Sequence, residues 1–146
     1  MKITSFFQIV VLCFFVFSNV DAKNSKSFEK GKTLFEKNEL EESKIFFERD
    51  IVFNPKNYKS YLYLAKIYKN VDEDQDEEIN LQSVLLLNPE HDEALYLLVL
   101  LKIKQSDYNE AKELIRKFDL VCDLFCYKKS EIKEKLAKLI PENENK

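Results

Sequence analysis

Glycine occurs once in this sequence, proline three times, histidine once and tryptophan never. A single glycine excludes a Gly-rich phosphate loop, which needs several close backbone approaches. So few glycines and prolines leave a many-stranded sheet short of turn residues, whereas helices tolerate the composition. One histidine, His91, leaves acid–base or zinc chemistry to rest on carboxylates alone. It stands two residues after Pro89 in an inter-helix turn, where a solvated cap is its ordinary role. Arginine is nearly absent: Arg49 and Arg116 are the two among 23 basic side chains, set against 26 acidic ones. A net charge of −3 and scarce guanidinium forks give no footprint for nucleic acid. The expectation is a non-enzyme with no catalytic residues, cofactor or metal.

What is present begins with an apolar N-terminus. Lys2 supplies a positive start, Ile9 to Phe17 is an unbroken apolar run, and Val20-Asp21-Ala22 ends it on a small residue. That order reads as a secretory signal peptide over residues 1–22, cleaved after Ala22. The run is shorter than the roughly 20 apolar residues of a membrane span. The alternative is an uncleaved anchor over Ile3 to Val20. Lys23, Lys26, Lys30 and Lys32 pull against export, because basic residues favour the cytoplasmic side. A lipoprotein role for Cys13 fails, since Leu12 precedes it where a small residue belongs. The expected location is periplasmic or secreted, with no membrane span after cleavage.

Pro55 and Pro89 are 34 residues apart, and each follows an asparagine. Proline lacks an N–H and restricts the residue before it, so each Asn-Pro ends a helix. Counting back from Pro55 finds Gly31, Leu34, Ser43 and Phe47. The matching slots before Pro89 hold Ala65, Tyr68, Glu77 and Leu81, and one period later come Val99, Lys102, Ala111 and Ile115. Gly31, Ala65 and Val99 form a small-to-medium slot suited to close helix approach. Ser43 and Ala111 form a second small slot.

These spacings resemble the tetratricopeptide repeat, a helix pair recurring every 34 residues. Tyr61, Leu64, Ala65, Tyr68 and Pro89 carry the likeness in repeat two, Gly31, Leu34, Phe47 and Pro55 in repeat one. Leu95, Leu98 and the turn Asp107-Tyr108-Asn109-Glu110-Ala111 carry it in repeat three. The likeness spans residues 24–124. It implies an all-α, right-handed superhelix (solenoid) of about three antiparallel helix pairs plus a C-terminal capping helix. The expected units are 23–56, 57–90 and 91–124, a cap over 125–140 and a tail over 141–146. The expected helices are 25–37, 40–53, 58–70, 75–87, 92–105, 108–120 and 127–139. Ile132, Leu136 and Leu139 share one face of the last. Three positions depart from the pattern: Glu77 in a small slot, which would shift its helix by a residue, Lys102 for a tyrosine, and Asp123 for a third proline.

Cys122 and Cys126 are four apart. On a continuous helix their Cβ atoms would lie about 5–6 Å apart, farther than the roughly 3.5–4.5 Å of a disulfide. Across a turn the bond is easy, and the repeat puts a turn there, so a disulfide is expected. The alternatives are two free thiols or a metal or haem site. Asp72 to Glu78 is an acidic run whose alternation partly resembles a calcium loop. It lacks the glycine and the closing glutamate that such a loop needs, and capping of the next helix is the simpler reading.

In tetratricopeptide proteins the first helix of each pair lines a concave groove that takes a peptide. The resemblance assigns that groove Phe28, Lys32 and Phe35, then Leu62, Lys66, Lys69 and Asn70, then Tyr96, Leu100, Ile103 and Lys104. The alternative for each is internal packing or plain solvation. Such a surface suits an acidic and apolar segment of a protein or peptide partner. The carboxylate-clamp positions of chaperone-binding members fall on Phe28, Lys32, Tyr63, Glu93 and Leu97, a set too poor in bases for a clamp. Two further readings are a self-associating structural module and an accessory subunit of an exported enzyme complex.

Overall fold

The computed structural model describes residues 25–140. The apolar N-terminal segment with Cys13, and the tail after Ile140, lie outside them. Within the described residues seven α-helices follow one another. They are α1 (Lys26–Glu36), α2 (Leu40–Phe53), α3 (Tyr58–Asn70), α4 (Asp74–Leu87), α5 (Asp92–Lys104), α6 (Tyr108–Val121) and α7 (Lys129–Leu139). A 3₁₀ turn, Cys126–Lys128, precedes α7, so the last helix begins later than expected. The helices pack as the pairs α1/α2, α3/α4 and α5/α6, joined by α2/α3 and α4/α5 contacts, with α7 against α5 and α6. The architecture is an all-α helical-repeat solenoid.

The turn inside each pair has the same construction. Asn38, Asp72 and Ser106 have φ of 62°, 58° and 62°, and they are 34 residues apart. Each is the left-handed residue that closes a helix, a conformation asparagine and aspartate tolerate best after glycine. Glu39 N–H donates to the Leu34 carbonyl at 2.9 Å, Glu73 N–H to Tyr68 at 3.0 Å, and Asp107 N–H to Lys102 at 2.9 Å. These bonds satisfy carbonyls that the helix end would orphan. A chain with one glycine thus makes three Schellman turns without it.

The small slots meet face to face. Ser43 Oγ donates to the Gly31 carbonyl at 2.8 Å. A Cβ added at Gly31 would lie 3.0 Å from the Phe47 ring. That ring in turn stacks on Tyr63, with centroids 4.8 Å apart. Phe28, Phe47, Leu64 and Ile67 form an aromatic-rich core under the first pair, flanked by Phe35 and Tyr63. A larger aliphatic core runs from Leu62 through α5 and α6 to Ile132 and Leu136 of α7.

Three expectations need correction. Glu77 does not shift its helix: Glu77, Leu81 and Val84 are buried at the same spacing as Ala111, Ile115 and Phe118. Leu139 is 48% exposed, because Ile132 and Leu136 are the residues that α7 buries against its neighbours. The 72–78 acids do not cap α4 through a side chain; several instead meet lysines of α5. Lys102 is buried in the slot of Leu34 and Tyr68, with its ammonium 2.6 Å from Glu78 and 3.1 Å from Glu110. Two carboxylates replace the tyrosine's packing there, which keeps the buried charge paired.

The turn before α7 departs from an Asn-Pro joint and is held by other means. Cys122 leaves the helix with extended backbone, φ −60° and ψ 135°. Asp123 has the N–H that a proline would lack, and it donates to Asp92 Oδ2 at 2.9 Å; Phe125 N–H donates to the same oxygen at 2.8 Å. Burial works against the Asp92 charge, yet these two backbone donors hold its carboxyl below the usual range. Cys122 and Cys126 stand at disulfide distance across this turn, Sγ atoms 2.02 Å apart and Cα atoms 5.1 Å apart. Lys129 and Lys133 of α7 both pair with Asp119 of α6, at 3.2 and 2.6 Å.

Candidate partner-binding groove

The groove-assigned side chains do not form one surface. Phe28, Leu62, Tyr96 and Ile103 are buried. Phe28 belongs to the aromatic core, its ring 5.8 Å from both Phe47 and Tyr63. Tyr96 donates its hydroxyl to Glu131 of α7 at 2.9 Å, so the capping helix occupies that end of the face. Asn70 spends its amide on the Lys66 carbonyl, one turn back. The apolar half of the assignment is therefore largely internal, because a position on the first helix does not say which way a large side chain turns.

Two patches remain. The first gathers Lys32, Phe35, Tyr63 and Lys66. Phe35 stands edge-on to Tyr63 with centroids 5.1 Å apart, and the Lys66 ammonium lies 5.4 Å from the same ring. Half-burial pushes the Tyr63 hydroxyl up from its ordinary pKa, with Lys32 acting the other way. Lys66 also pairs with Glu93 of α5 at 2.7 Å, tying α3 to α5. Lys32 reaches Glu36 at 3.8 Å in an exposed pair, which holds it weakly. Phe28 and Leu97, two of the clamp positions, are buried, and Glu93 is already paired.

The second patch surrounds a cavity of about 210 Å³ lined by Lys69, Asp72, Glu77, Leu100, Leu101 and Lys104. Lys69, Leu100 and Lys104 belong to the expected groove; Glu77 is expected there only as a misfit of the small slot and a member of the acidic run. Lys104 binds Asp72 at 2.8 Å and Asp74 at 2.6 Å, and these bonds raise its pKa. Glu77 is 3% exposed. Burial pushes its carboxyl up to about 7, while Lys69 and Lys104 pull it down and Asp74 and Asp72 push it up.

Two polar clusters lie away from these patches. Asp50 is fully buried and accepts hydrogen bonds from Ser25 Oγ, Asn54 Nδ2 at 2.9 Å, Asn57 Nδ2 at 2.6 Å and Ser60 Oγ at 2.5 Å. Burial opposes its charge, but the four neutral donors hold its pKa below the usual value. Ser25 also caps α1, accepting from Phe28 N–H at 3.0 Å, so one carboxylate joins α1, α2 and α3. Sequence reasoning missed this node; the clue was an aspartate in the slot of Val84 and Phe118. His91 is the N-cap of α5: its Nδ1 accepts from Ala94 N–H at 3.3 Å. Burial against Tyr58 lowers its pKa, and the cap requires the neutral ring.

No family model matches the chain, and no curated protein sequence matches it. Solved structures do. The tetratricopeptide domain of Arabidopsis OM64 aligns with a TM-score of 0.71 at 18% identity, over 78% of this chain and 93% of that one. The TPR2B domain of yeast Sti1, solved in complex with a pHsp70, aligns with a TM-score of 0.70 at 14% identity, over 80% of this chain and all of that one. The first such domain of Spaghetti (RPAP3), bound to the HSP90 peptide SRMEEVD, aligns at 0.69 and 16%, over 77% and 90%. The chain has the fold of these tetratricopeptide domains.

Proposed function

We propose that this protein is an exported interaction scaffold that holds an acidic and apolar segment of a protein partner along α1, α3 and α5. The observation that carries the reading is the pair of lysine-bearing patches, Lys32/Phe35/Tyr63/Lys66 and Lys69/Leu100/Lys104, on the first helices of successive pairs. Each combines a ring or an aliphatic wall with ammonium groups, the mixture that selects acidic and apolar side chains together. Structural neighbours solved with HSP90 and HSP70 peptides lend the same use to the fold. The partner here would not be gripped by a carboxylate clamp, because Phe28 and Leu97 are turned inward. Export rests on residues 1–22 and on the Cys122–Cys126 pair, which suits an oxidising compartment. Catalysis has no part in the proposal; the scaffold acts by holding.

One observation favours a second reading. Val52, Leu86 and Leu120 are 34 residues apart and 74%, 83% and 86% exposed. Bare aliphatics repeated on the second helices would suit a surface for another copy of the chain. A photo-crosslinking side chain placed at Phe35 or Leu100, in cells, should capture one and the same foreign protein. The same probe at Leu86 should capture none. Capture of a second copy from Leu86, with nothing from Phe35 or Leu100, would replace the groove reading with self-association. Intact mass of the protein from the cell envelope or medium tests export: the expected chain starts at Lys23.

A further inference from the structure

Glu77 sits in the slot that Ser43 and Ala111 occupy in the neighbouring pairs, so the frame itself needs only a small residue there. Burial of a carboxyl favours its protonated form over the carboxylate. The Glu77 side chain makes no hydrogen bond or ion pair within the described residues, is nine-tenths buried, and lines the cavity between α3, α4 and α5. The charges facing it are Lys69 from α3, Asp72 from the turn, Asp74 from its own helix and Lys104 from α5. Lys104 is committed to Asp72 and Asp74, Lys66 to Glu93, and Lys102 to Glu78 and Glu110. Lys69 alone of these lysines forms no ion pair within the described residues. The cavity thus presents one uncommitted ammonium and one uncommitted carboxyl between the aliphatic walls of Leu100 and Leu101.

We infer that this cavity is a carboxylate subsite, taking one acidic side chain of the partner segment between the Lys69 ammonium and the Glu77 carboxyl. The inference rests on the groove reading and names what its second patch selects. A ligand carboxylate accepts one hydrogen bond from Lys69 and a second from the protonated Glu77 hydroxyl. Ionised Glu77 repels the same ligand, so binding above neutrality takes up a proton. With the Glu77 carboxyl pushed up to about 7, occupancy falls as pH rises through that value. Asp72 and Asp74 do not compete for Lys69, since both are bound to Lys104.

The probe is a short fluorescein-labelled, C-amidated peptide alternating leucine and glutamate, with its leucine–glutamine counterpart as control, read by anisotropy on the purified protein. The glutamate peptide should bind about tenfold more tightly at about pH 6 than at about pH 8. The glutamine peptide should show no such change. Glu77→Gln supplies a permanent N–H donor, so it should keep the tighter binding at both values. Lys69→Gln should weaken binding at both values by about tenfold. Circular dichroism verifies that both variants are folded. Equal binding of both peptides, affinity that rises with pH, or an unchanged pH profile in Glu77→Gln would overturn the subsite while leaving the groove in place. Failure of both peptides to bind at about pH 6 would reject the groove and the subsite together.

Discussion

Where the second helix of each pair meets the next pair, α2 carries Asp50, α4 carries Val84 and α6 carries Phe118. The three share one register and one depth, yet the first is a carboxylate held by four neutral donors and the last a fully buried ring. The first pair is fastened by directional bonds and aromatic stacking. The third is fastened by aliphatic burial that continues into α7. The repeat thus specifies geometry, and each copy supplies its own chemistry. A directional node is sensitive to pH and to single deletions; an apolar one is sensitive to volume.

Removing either node separates these modes. Asp50→Ala deletes a charged acceptor and strands Asn57 and Ser60, for a loss of about 4 kcal/mol near neutral pH. Phe118→Ala should cost a similar amount, about 3–5 kcal/mol, by cavity formation. The two should part in acid. The folded Asp50 pKa lies below 3.8, so its contribution is present above that value and lost as pH falls through the folded value. Urea midpoints of Asp50→Ala should therefore converge on the parent as pH falls, while Phe118→Ala stays apart. Parallel shifts at every pH would mean that Asp50 acts by packing alone.

Glu77→Ala sharpens the comparison with the opposite sign. The folded pKa of Glu77 is raised to about 7 from 4.5, so stability falls as pH rises from the unfolded value through the folded one. The variant should be more stable than the parent by about 2 kcal/mol at pH 8 and equal to it at pH 4, again by urea unfolding. Cys122→Ser should cost about 2 kcal/mol by the chain-entropy model, a difference abolished by reductant; an undiminished difference would show the pair to be unlinked. The smallest effect is Gly31→Ala. Helix propensity favours alanine by about 1 kcal/mol, but the new Cβ meets the Phe47 ring, which is stacked on Tyr63 and cannot retreat. A net loss of about 1 kcal/mol in thermal unfolding is expected.

The fold was legible because its markers recur at one interval. Pro55 and Pro89 end helices by covalent geometry, and Gly31, Ala65, Ser43 and Ala111 are small where backbones close in. The left-handed residues Asn38, Asp72 and Ser106 recur at the same interval, but their side chains differ, so the turn was hidden in the letters. Asp50 was illegible for another reason. Its donors come from the cap of α1, the joint between α2 and α3, and the first turn of α3, and each of Ser25, Asn54, Asn57 and Ser60 is an ordinary terminus residue on its own. The candidate site was half legible. Family position puts Lys69, Leu100 and Lys104 on first helices, where they line one cavity, yet it does not tell that Phe28, Leu62 and Tyr96 turn inward. Glu77 reads as a defect of the repeat because the cavity it lines is built by residues of α3 and α5, distant from it in sequence.

The claim that α1, α3 and α5 form the binding face is tested most directly by chemical-shift mapping of isotopically labelled protein with the leucine–glutamate peptide at about pH 6. The account predicts saturable shifts clustered at Phe35, Tyr63, Lys69, Leu100 and Lys104. Shifts confined to Val52, Leu86 and Leu120, with those five unmoved, would contradict it.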